Sequence, residues 1–321
     1  MKKVRAMPTV NIITPIYNSA KTLPAYFDSL KKQTYQDYQV LLIDDGSTDN
    51  SADLCQTYAK KDSRFKLTQR SHEGVSATKN YGIKIATAKY LSFIDSDDTV
   101  EPTFLETLVE KLEKNHADLS CCGYQEITNG KVTHSMHREK VKQNPYLEIL
   151  KNYQGFLANK LYKRDIITSK NLTIKNDLSM CGDLLFNFQY LEHCKKIAYS
   201  DKNLYNYHIN SAGLSRDYKK TWFDILTVYN ILLKDLPNFS HPTQDYLKYN
   251  YLIAISEAKM RCQIMNLNFK NIQKEYHIEN IKETYYHLQK SPYLTKKEKL
   301  RLFFFIKFNG LAKIIKFRRL K

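Results

Sequence analysis

Glycine and proline are scarce in this chain, nine and eight among 321 residues. That scarcity, with no internal repeat, excludes collagen-like arrays and Gly/Pro-rich low-complexity linkers. The six cysteines (Cys55, Cys121, Cys122, Cys181, Cys194, Cys262) contain no CxxC pair and no cysteine–histidine spacing of a zinc site. They are expected to be reduced thiols that mostly pack in the core. No window approaches the ~20 apolar residues of a membrane-spanning helix. The tightest apolar run is Leu302 to Ile306. The start, MKKVRAMPTV, has the charges of a secretory signal but no apolar segment behind them. Together these absences lead to the expectation of a cytosolic protein that does not cross the membrane.

What is abundant is positive charge and tyrosine: the net charge is +17 and there are 24 tyrosines. A hydrophobic content of 42% with 26% charged residues is ordinary for a globular chain. The length suits one large domain, or one domain with a helical appendage.

The first hundred residues alternate two periods. Val10–Thr14, Val40–Ile43, Phe65–Thr68 and Tyr90–Ile94 are short apolar runs of the kind that form buried parallel strands. Between them, Leu23, Phe27 and Leu30 share a helical face behind Pro24. Asp49-Asn50-Ser51 can cap a helix through Tyr58, and Gly74 to Ala86 can form a third helix. This order predicts βαβ units in a doubly wound parallel sheet. A helix over Pro102–Lys114 and a strand over Asp118–Ile127 follow, the strand ending near a tight turn at Asn129-Gly130. After about residue 216 the pattern becomes helical, tyrosine-rich and basic.

Ligands of open parallel sheets sit beyond the carboxyl ends of the strands. Three polar clusters fall there: Pro15-Ile16-Tyr17-Asn18, then 44-DDGSTDNS-51, then 95-DSDD-98. Asp44, Asp45, Asp95, Asp97 and Asp98 would share one crevice. So many carboxylates repel one another unless a divalent cation or a donor-rich ligand offsets the charge. For Asp44 and Asp49, turn formation and helix capping are alternative roles, and capping is preferred for Asp49.

The order and spacing of Pro15-Ile16-Tyr17-Asn18, Asp44-Asp45-Gly46-Ser47-Thr48-Asp49, 74-GVSATKNYGIKIA-86 and Asp95-Ser96-Asp97-Asp98 resemble the family 2 glycosyltransferases. Those are inverting enzymes, and the resemblance implies a member of bacterial surface-glycan type. The match is close over residues 10–112 and looser to about Ser215. The resemblance implies a GT-A fold, a Rossmann-like and mostly parallel sheet flanked by helices, over residues 1–216. A helical, basic region over 217–321 would follow. It also implies a nucleotide-sugar donor, usually a UDP-sugar, with Mn²⁺ or Mg²⁺. By the resemblance, Pro15, Tyr17 and Asp45 hold the nucleoside and Asp95 lies near the ribose. Asn18, Ser47, Ser96 and Asp98 complete the donor site, and Asp97 ligates the metal. Lys79 stands where the family usually has Arg; it keeps the charge without the planar fork and is expected to face the nucleotide-sugar donor, a solvated helix residue being the alternative.

An inverting transfer also needs a base for the acceptor hydroxyl. In the family this is the Asp of a Glu-Asp pair that opens a helix. Here the chain reads 179-SMCGDLLFN-187, so Asp183 matches and Gly182 replaces the Glu. A helix N-terminus favours the ionised form of Asp183; a plain N-cap is the alternative role. The stretch 205-YNYHINSAGLSR-216 resembles the loop that closes over the diphosphate, with His208 as a metal ligand or phosphate donor and Ser215 and Arg216 as phosphate binders. Asn159, Lys160 and Tyr162, within 159-NKLYKRDII-167, are expected on the acceptor or donor-sugar side.

From Leu294 the tail carries ten Lys and Arg against the single acid Glu298. Leu300, Phe303, Phe304, Phe308, Leu311, Ile314 and Ile315 can share one apolar face. Such a helix suits an anionic membrane surface at the inner face of the cell membrane. Packing on the protein's own core, or on a second subunit in an oligomer, is the alternative. No nucleic-acid recognition motif accompanies the charge. A glycan, lipid-linked or protein-linked acceptor fits the same reading. Two rival readings stay open on sequence alone. One is a partner subunit that binds donor without turnover, because Gly182 breaks the Glu-Asp pair. The other is a haloacid-dehalogenase-type phosphatase with Asp95 as nucleophile and Asp97 as acid/base, although three strands would then precede its first motif.

Overall fold

The structure is a computed structural model, and it describes residues 7–136, 144–153, 155–178, 181–209 and 220–307. The predicted alternation is present: β1 (Val10–Ile16), α1 (Leu23–Lys31), β2 (Tyr38–Asp44), α2 (Ser51–Lys61), β3 (Phe65–Gln69), α3 (Val75–Ile85) and β4 (Tyr90–Phe93). There follow β5 (Thr99–Val100), α4 (Phe104–Lys114), β6 (Leu119–Thr128), β7 (Lys131–Ser135), α5 (Pro145–Glu148), β8 (Lys160–Lys163), α6 (Arg164–Ser169), α7 (Gly182–Leu191) and β9 (Ile197–His208). The remaining helices are α8 (Asp224–Lys234), α9 (His241–Ile264), α10 (Phe269–Glu275), α11 (Ile281–Lys290) and α12 (Lys296–Lys307). By internal contacts the chain divides into two units. One holds the sheet and its helices. The other is helical and takes in α5 and everything from α8 onward.

All nine strands join one sheet in the order β3-β2-β1-β4-β8-β6-β9-β5, with β7 paired to β6. The half formed by β3, β2, β1 and β4 is parallel, as the sequence predicts. The other half differs from a doubly wound sheet. β8 runs antiparallel between β4 and β6, and β5 and β7 are antiparallel to β9 and β6. β6 and β9 run parallel. Each residue of β1 is buried, which is why its sequence is almost continuously apolar. The turn between β6 and β7 has positive φ at both Asn129 (51°) and Gly130 (72°), the conformation that Asn-Gly adopts most readily.

Gly82 sets how closely α3 approaches the sheet. A Cβ there would sit 2.4 Å from Ile13 Cγ2 and 2.9 Å from Ile43 Cδ1. Only a glycine lets the helix lie directly on β1 and β2, and this fixes where Lys79, three residues earlier, points.

In the helical unit α9 is the central element. It packs against α5, α8, α10, α11 and α12. That explains why it carries apolar residues around most of its circumference, including Leu247, Tyr249, Leu252, Ile253 and Ile255. Thr295 and Glu298 form a reciprocal cap at the start of α12: Glu298 N donates to Thr295 Oγ1 at 3.2 Å and Thr295 N to Glu298 Oε2 at 2.7 Å. Tyr246 of α9 donates to Glu298 Oε1 at 2.7 Å. The side of α12 that is buried carries Leu302, while Leu300 and Phe303 are exposed. The basic tail therefore begins as a helix docked on its own unit; residues 308–321 lie outside the described residues. Among the described residues no helix is long and apolar enough to cross a membrane. All six cysteines are free thiols.

Candidate functional site

Three strand ends are tied together by side chains that the polar clusters supply. Asn18 follows β1 with a φ of 49°, a left-handed conformation that Asn tolerates. Its Oδ1 accepts from Thr48 N at 2.8 Å and Asp49 N at 3.3 Å, and its own N–H donates to Ser47 Oγ at 3.0 Å. Asn18 thus clasps the loop after β2. Ser19 continues the link: its N–H donates to Ser51 Oγ at 2.8 Å, and its hydroxyl lies 2.8 Å from that of Ser96, beyond β4. Asp49 accepts from Ala20 N at 3.1 Å and Ser51 N at 3.0 Å, which is the turn-forming role; the N-cap of α2 is Asn50, so the preferred capping role is not the one Asp49 takes.

Asp45 is 3% exposed, and both of its oxygens face the segment that enters α3. Oδ1 accepts from Glu73 N and Oδ2 from Gly74 N, each at 2.9 Å. His72 Nδ1 lies 2.8 Å from Oδ2, and the His72 ring stacks on Tyr17 at 4.3 Å between centroids. Tyr17 is 47% exposed, so an aromatic face is open beside a buried carboxylate. That pairing suits a planar base with an N–H donor. Pro15 is buried inside β1. Asp44 is buried too; Oδ2 accepts from Ser47 N at 3.4 Å, while Oδ1 has no hydrogen-bond partner.

The third cluster separates into three environments. Asp98 is 1% exposed; His208 N donates to Oδ1 at 2.9 Å and the Tyr205 hydroxyl to Oδ2 at 2.5 Å. Burial, with the charges of Asp97 and Asp95 nearby, pushes its carboxyl well above the usual carboxylate range. Asp98 thus fastens β9 to the acidic turn. It offers a ligand neither of these oxygens in the direction those bonds occupy. Asp95 is part-exposed and faces Lys79, with Nζ 3.3 Å from Oδ1. Asp97 is half-buried on the same turn. His208 places Nε2 2.9 Å from Thr99 Oγ1, and burial lowers its pKa, which keeps the ring neutral. Ser215 and Arg216 lie outside the described residues.

Lys79 joins this cluster to the predicted base. Its Nζ is 3.7 Å from Asp183 Oδ2, in the first turn of α7. Burial opposes its charge, but Asp183 and Asp95 outweigh that and hold the ammonium protonated. Asp183 Oδ2 also accepts from Leu157 N at 3.3 Å. Next to Lys79, Asn80 donates to Ile174 O at 2.7 Å and accepts from Ile174 N at 2.8 Å. It also donates to Asn176 Oδ1 at 2.9 Å, tying α3 to the loop ahead of α7. A Cβ on Gly182 would meet Ile174 Cγ2 at 3.2 Å, so Ile174 occupies part of the room a side chain there would use.

Asn159, Lys160 and Tyr162 do not line a surface, contrary to the sequence expectation. All three are fully buried. Lys160 Nζ donates to Phe156 O at 2.7 Å and Asn159 Oδ1 at 2.9 Å, and burial lowers its pKa to about 8. Tyr162 donates to Asn187 Oδ1 at 2.8 Å, and Asn187 in turn donates to Gly155 O at 2.9 Å. Together they hold the backbone that presents Leu157 N to Asp183. Sequence reasoning missed three contributors: the His72–Tyr17 stack, the Asn80 clasp and Tyr205. Gly74, with φ of 93° just ahead of α3, was the local sign that the preceding loop turns back on itself.

Several features point the same way: a half-parallel sheet, an aromatic face beside a buried Asp, an acidic turn at the end of β4, and a carboxylate at a helix start across one Lys. The model of glycosyl transferase family 2 matches residues 11–175, just over half of the chain. The chain belongs to that family. The Bacillus subtilis protein EpsH is 29% identical over 226 residues, 68% of this chain and 65% of EpsH. The match to EpsJ of the same organism covers 63% of that protein, so the chain spans less than two thirds of these relatives. The glycosyltransferase GlyG of Streptococcus pneumoniae is 27% identical over 83% of this chain and 97% of its own length. Among solved structures, residues 1–349 of S. aureus TarS in complex with UDP superpose with a TM-score of 0.66 at 18% identity, covering 96% of this chain and 91% of that one. The mannosyltransferase PcManGT of Pyrobaculum calidifontis, with GDP-Man and Mn²⁺, superposes at 0.58 and 14% identity, covering 96% and 87%. At these identities the superpositions establish the fold, a GT-A α/β sheet with a helical C-terminal region.

Proposed function

We propose that the chain transfers a sugar from a nucleotide sugar, of UDP type, to a glycan, lipid-linked or protein-linked acceptor with inversion at the anomeric carbon. The observation that carries this reading is the Lys79 bridge, which brings Asp95 of the acidic turn and Asp183 of α7 to one ammonium. Donor-side and base-side carboxylates therefore share one place, as a displacement at a single carbon requires. Support also comes from the family, and from solved structures of the same fold in complex with UDP, UDP-GlcNAc and GDP-Man.

In this reading Tyr17 stacks on the nucleobase and Asp45 accepts its N–H. Pro15, Asn18, Ser47 and Ser96 shape the pocket by holding the strand ends. Asp95 accepts from sugar hydroxyls. Asp98 supports the turn from inside, bonded to Tyr205 and His208. Ser215 and Arg216 meet the diphosphate. Asp183 removes the proton from the acceptor hydroxyl on the face opposite the leaving diphosphate.

Among the described residues no group of three metal-ligating side chains forms. A site of one carboxylate, Asp97, completed by substrate phosphates still fits Mg²⁺ or Mn²⁺, which keep open positions and prefer oxygen. When bound, such a cation supplies Lewis-acid stabilisation of the charge on the leaving diphosphate. His208, with Nε2 on Thr99, is the second residue proposed at that position. The exposed Leu300 and Phe303 among the lysines of α12 support attachment to an anionic membrane surface, at the inner face of the cell membrane, where a lipid-linked acceptor resides.

The test is a thermal-shift panel of nucleotides and nucleotide sugars with Mn²⁺ and with chelator. A ligand at ~100 times its Kd adds about 2.7 kcal/mol, which moves the melting temperature by several degrees. The reading predicts a metal-dependent shift with UDP-sugars. No shift with any nucleotide would overturn it.

A further inference from the structure

Lys79 is the one rigid partner in the pair of ion pairs it makes. Its side chain is 7% exposed, whereas those of Asp95 and Asp183 are 39% and 32% exposed. The carboxylates can turn toward water; the ammonium cannot. Its position is fixed twice over. Gly82, one turn along α3, lets the helix lie against Ile13 and Ile43 of the sheet. Asn80, the next residue, makes three hydrogen bonds to Ile174 and Asn176, in the loop that leads to α7. Consecutive residues of α3 thus hold the Asp183 carboxylate and the backbone that precedes its helix. At α7 itself the chain has Gly182, with Ile174 packed on it, so no side-chain carboxylate stands immediately before Asp183.

We propose that Lys79 is a positioning residue for the base: it orients the Asp183 carboxylate and couples it to the donor side through Asp95. The inference rests on the reading of Asp183 as base. It goes beyond that reading by giving Lys79 a role in the chemical step instead of in donor affinity. The other groups that act on Asp183 are Leu157 N–H, and Lys160 and Tyr162 of β8, both buried. Asp95 acts in the opposite sense by sharing the same ammonium. Removing Lys79 leaves Asp183 with a hydrogen bond from Leu157 but no cation within 4 Å among the described residues.

The experiment measures UDP release from UDP-N-acetylglucosamine and UDP-glucose with saturating Mn²⁺, in wild type and the Lys79→Met, Lys79→Gln, Lys79→Arg and Asp183→Asn variants. Calorimetry gives donor Kd in parallel. In Lys79→Met and Lys79→Gln kcat should fall by at least about tenfold, as expected when a catalytic group is misplaced. Donor Kd should stay within about threefold, and Lys79→Arg should restore most of kcat. A wild-type kcat in both variants, or a loss of donor affinity that accounts for the whole loss of turnover, overturns the proposal. The parent reading fails separately, if Asp183→Asn turns over like wild type. Using both Met and Gln guards against one variant that does not fold, and melting temperatures show which have folded.

Discussion

Asp45→Asn separates two jobs that one buried carboxylate performs. In the folded protein its two oxygens take the N–H groups of Glu73 and Gly74, each at 2.9 Å. Asparagine keeps one acceptor and turns an NH₂ toward the other N–H, so one bond is lost and two donors face each other. Hydrogen bonds to a charged group contribute about 1.5–3 kcal/mol each. Here the amides are partly open to water, and the lost pairing with His72 counts for little because that ring is 55% exposed. The expected cost is about 2 kcal/mol, or roughly 3 °C in melting temperature for a chain of 321 residues. Differential scanning calorimetry of the ligand-free variant measures it. Titration with UDP measures the second job: if Asp45 also accepts the base N–H, UDP affinity falls by at least about tenfold, or about 1.4 kcal/mol. A melting temperature within about 1 °C of wild type would refute the claim that this carboxylate holds the entry to α3. A lowered melting temperature with unchanged UDP affinity would leave Asp45 a structural residue only.

Gly82→Ala forces a Cβ to within 2.4 Å of Ile13 Cγ2, and should destabilise the sheet unit by about 1–3 kcal/mol in urea titrations, reduced when combined with Ile13→Val. Gly182→Ala meets Ile174 at only 3.2 Å with ordinary backbone; alone it should be nearly neutral, and with Ile174→Val it should gain about 0.5–1 kcal/mol from helix propensity in a double-mutant cycle. Lys160 titrates near 8 in the folded protein, below its unfolded value. The unfolded chain therefore binds more protons between about pH 8 and 10.4, and wild type should gain stability over Lys160→Met as pH rises through that window. Tyr205→Phe removes a donor from buried Asp98, and should cost about 1–3 kcal/mol with little change in UDP affinity.

The parallel half of the sheet was legible because β1, β2 and β4 are short, mostly apolar runs buried on both faces. Its helices announce themselves by spacing and by residues such as Pro24 and Gly74. The other half was not. β8 is only four residues long, and its antiparallel seat between β4 and β6 is decided by pairings with residues 90–91 and 119–121, far away in the chain, which no local period records. At the site, the acidic clusters and Asp183 could be picked out because their composition is unusual for strand ends and helix starts. Whether a carboxylate faces inward could not. Asp98 and Asp95 stand in one tetrapeptide, yet Asp98 is buried against Tyr205 and Asp95 faces Lys79, because β9 covers one side of the turn only. Lys160 misled for a related reason: a Lys is normally a surface residue, and only the carbonyls of the 156–159 turn make its burial tolerable.

The most direct measurement is UDP release from UDP-sugars with Mn²⁺ by wild type and by Asp183→Asn, beside the donor affinity of each. A base at Asp183 predicts turnover by wild type and a loss of at least about a hundredfold in the variant, the scale of general-base catalysis, with donor affinity nearly unchanged. A variant that binds donor and turns it over at the wild-type rate would contradict the assignment of Asp183. A wild-type protein that binds no nucleotide sugar would contradict the glycosyl-transfer reading as a whole.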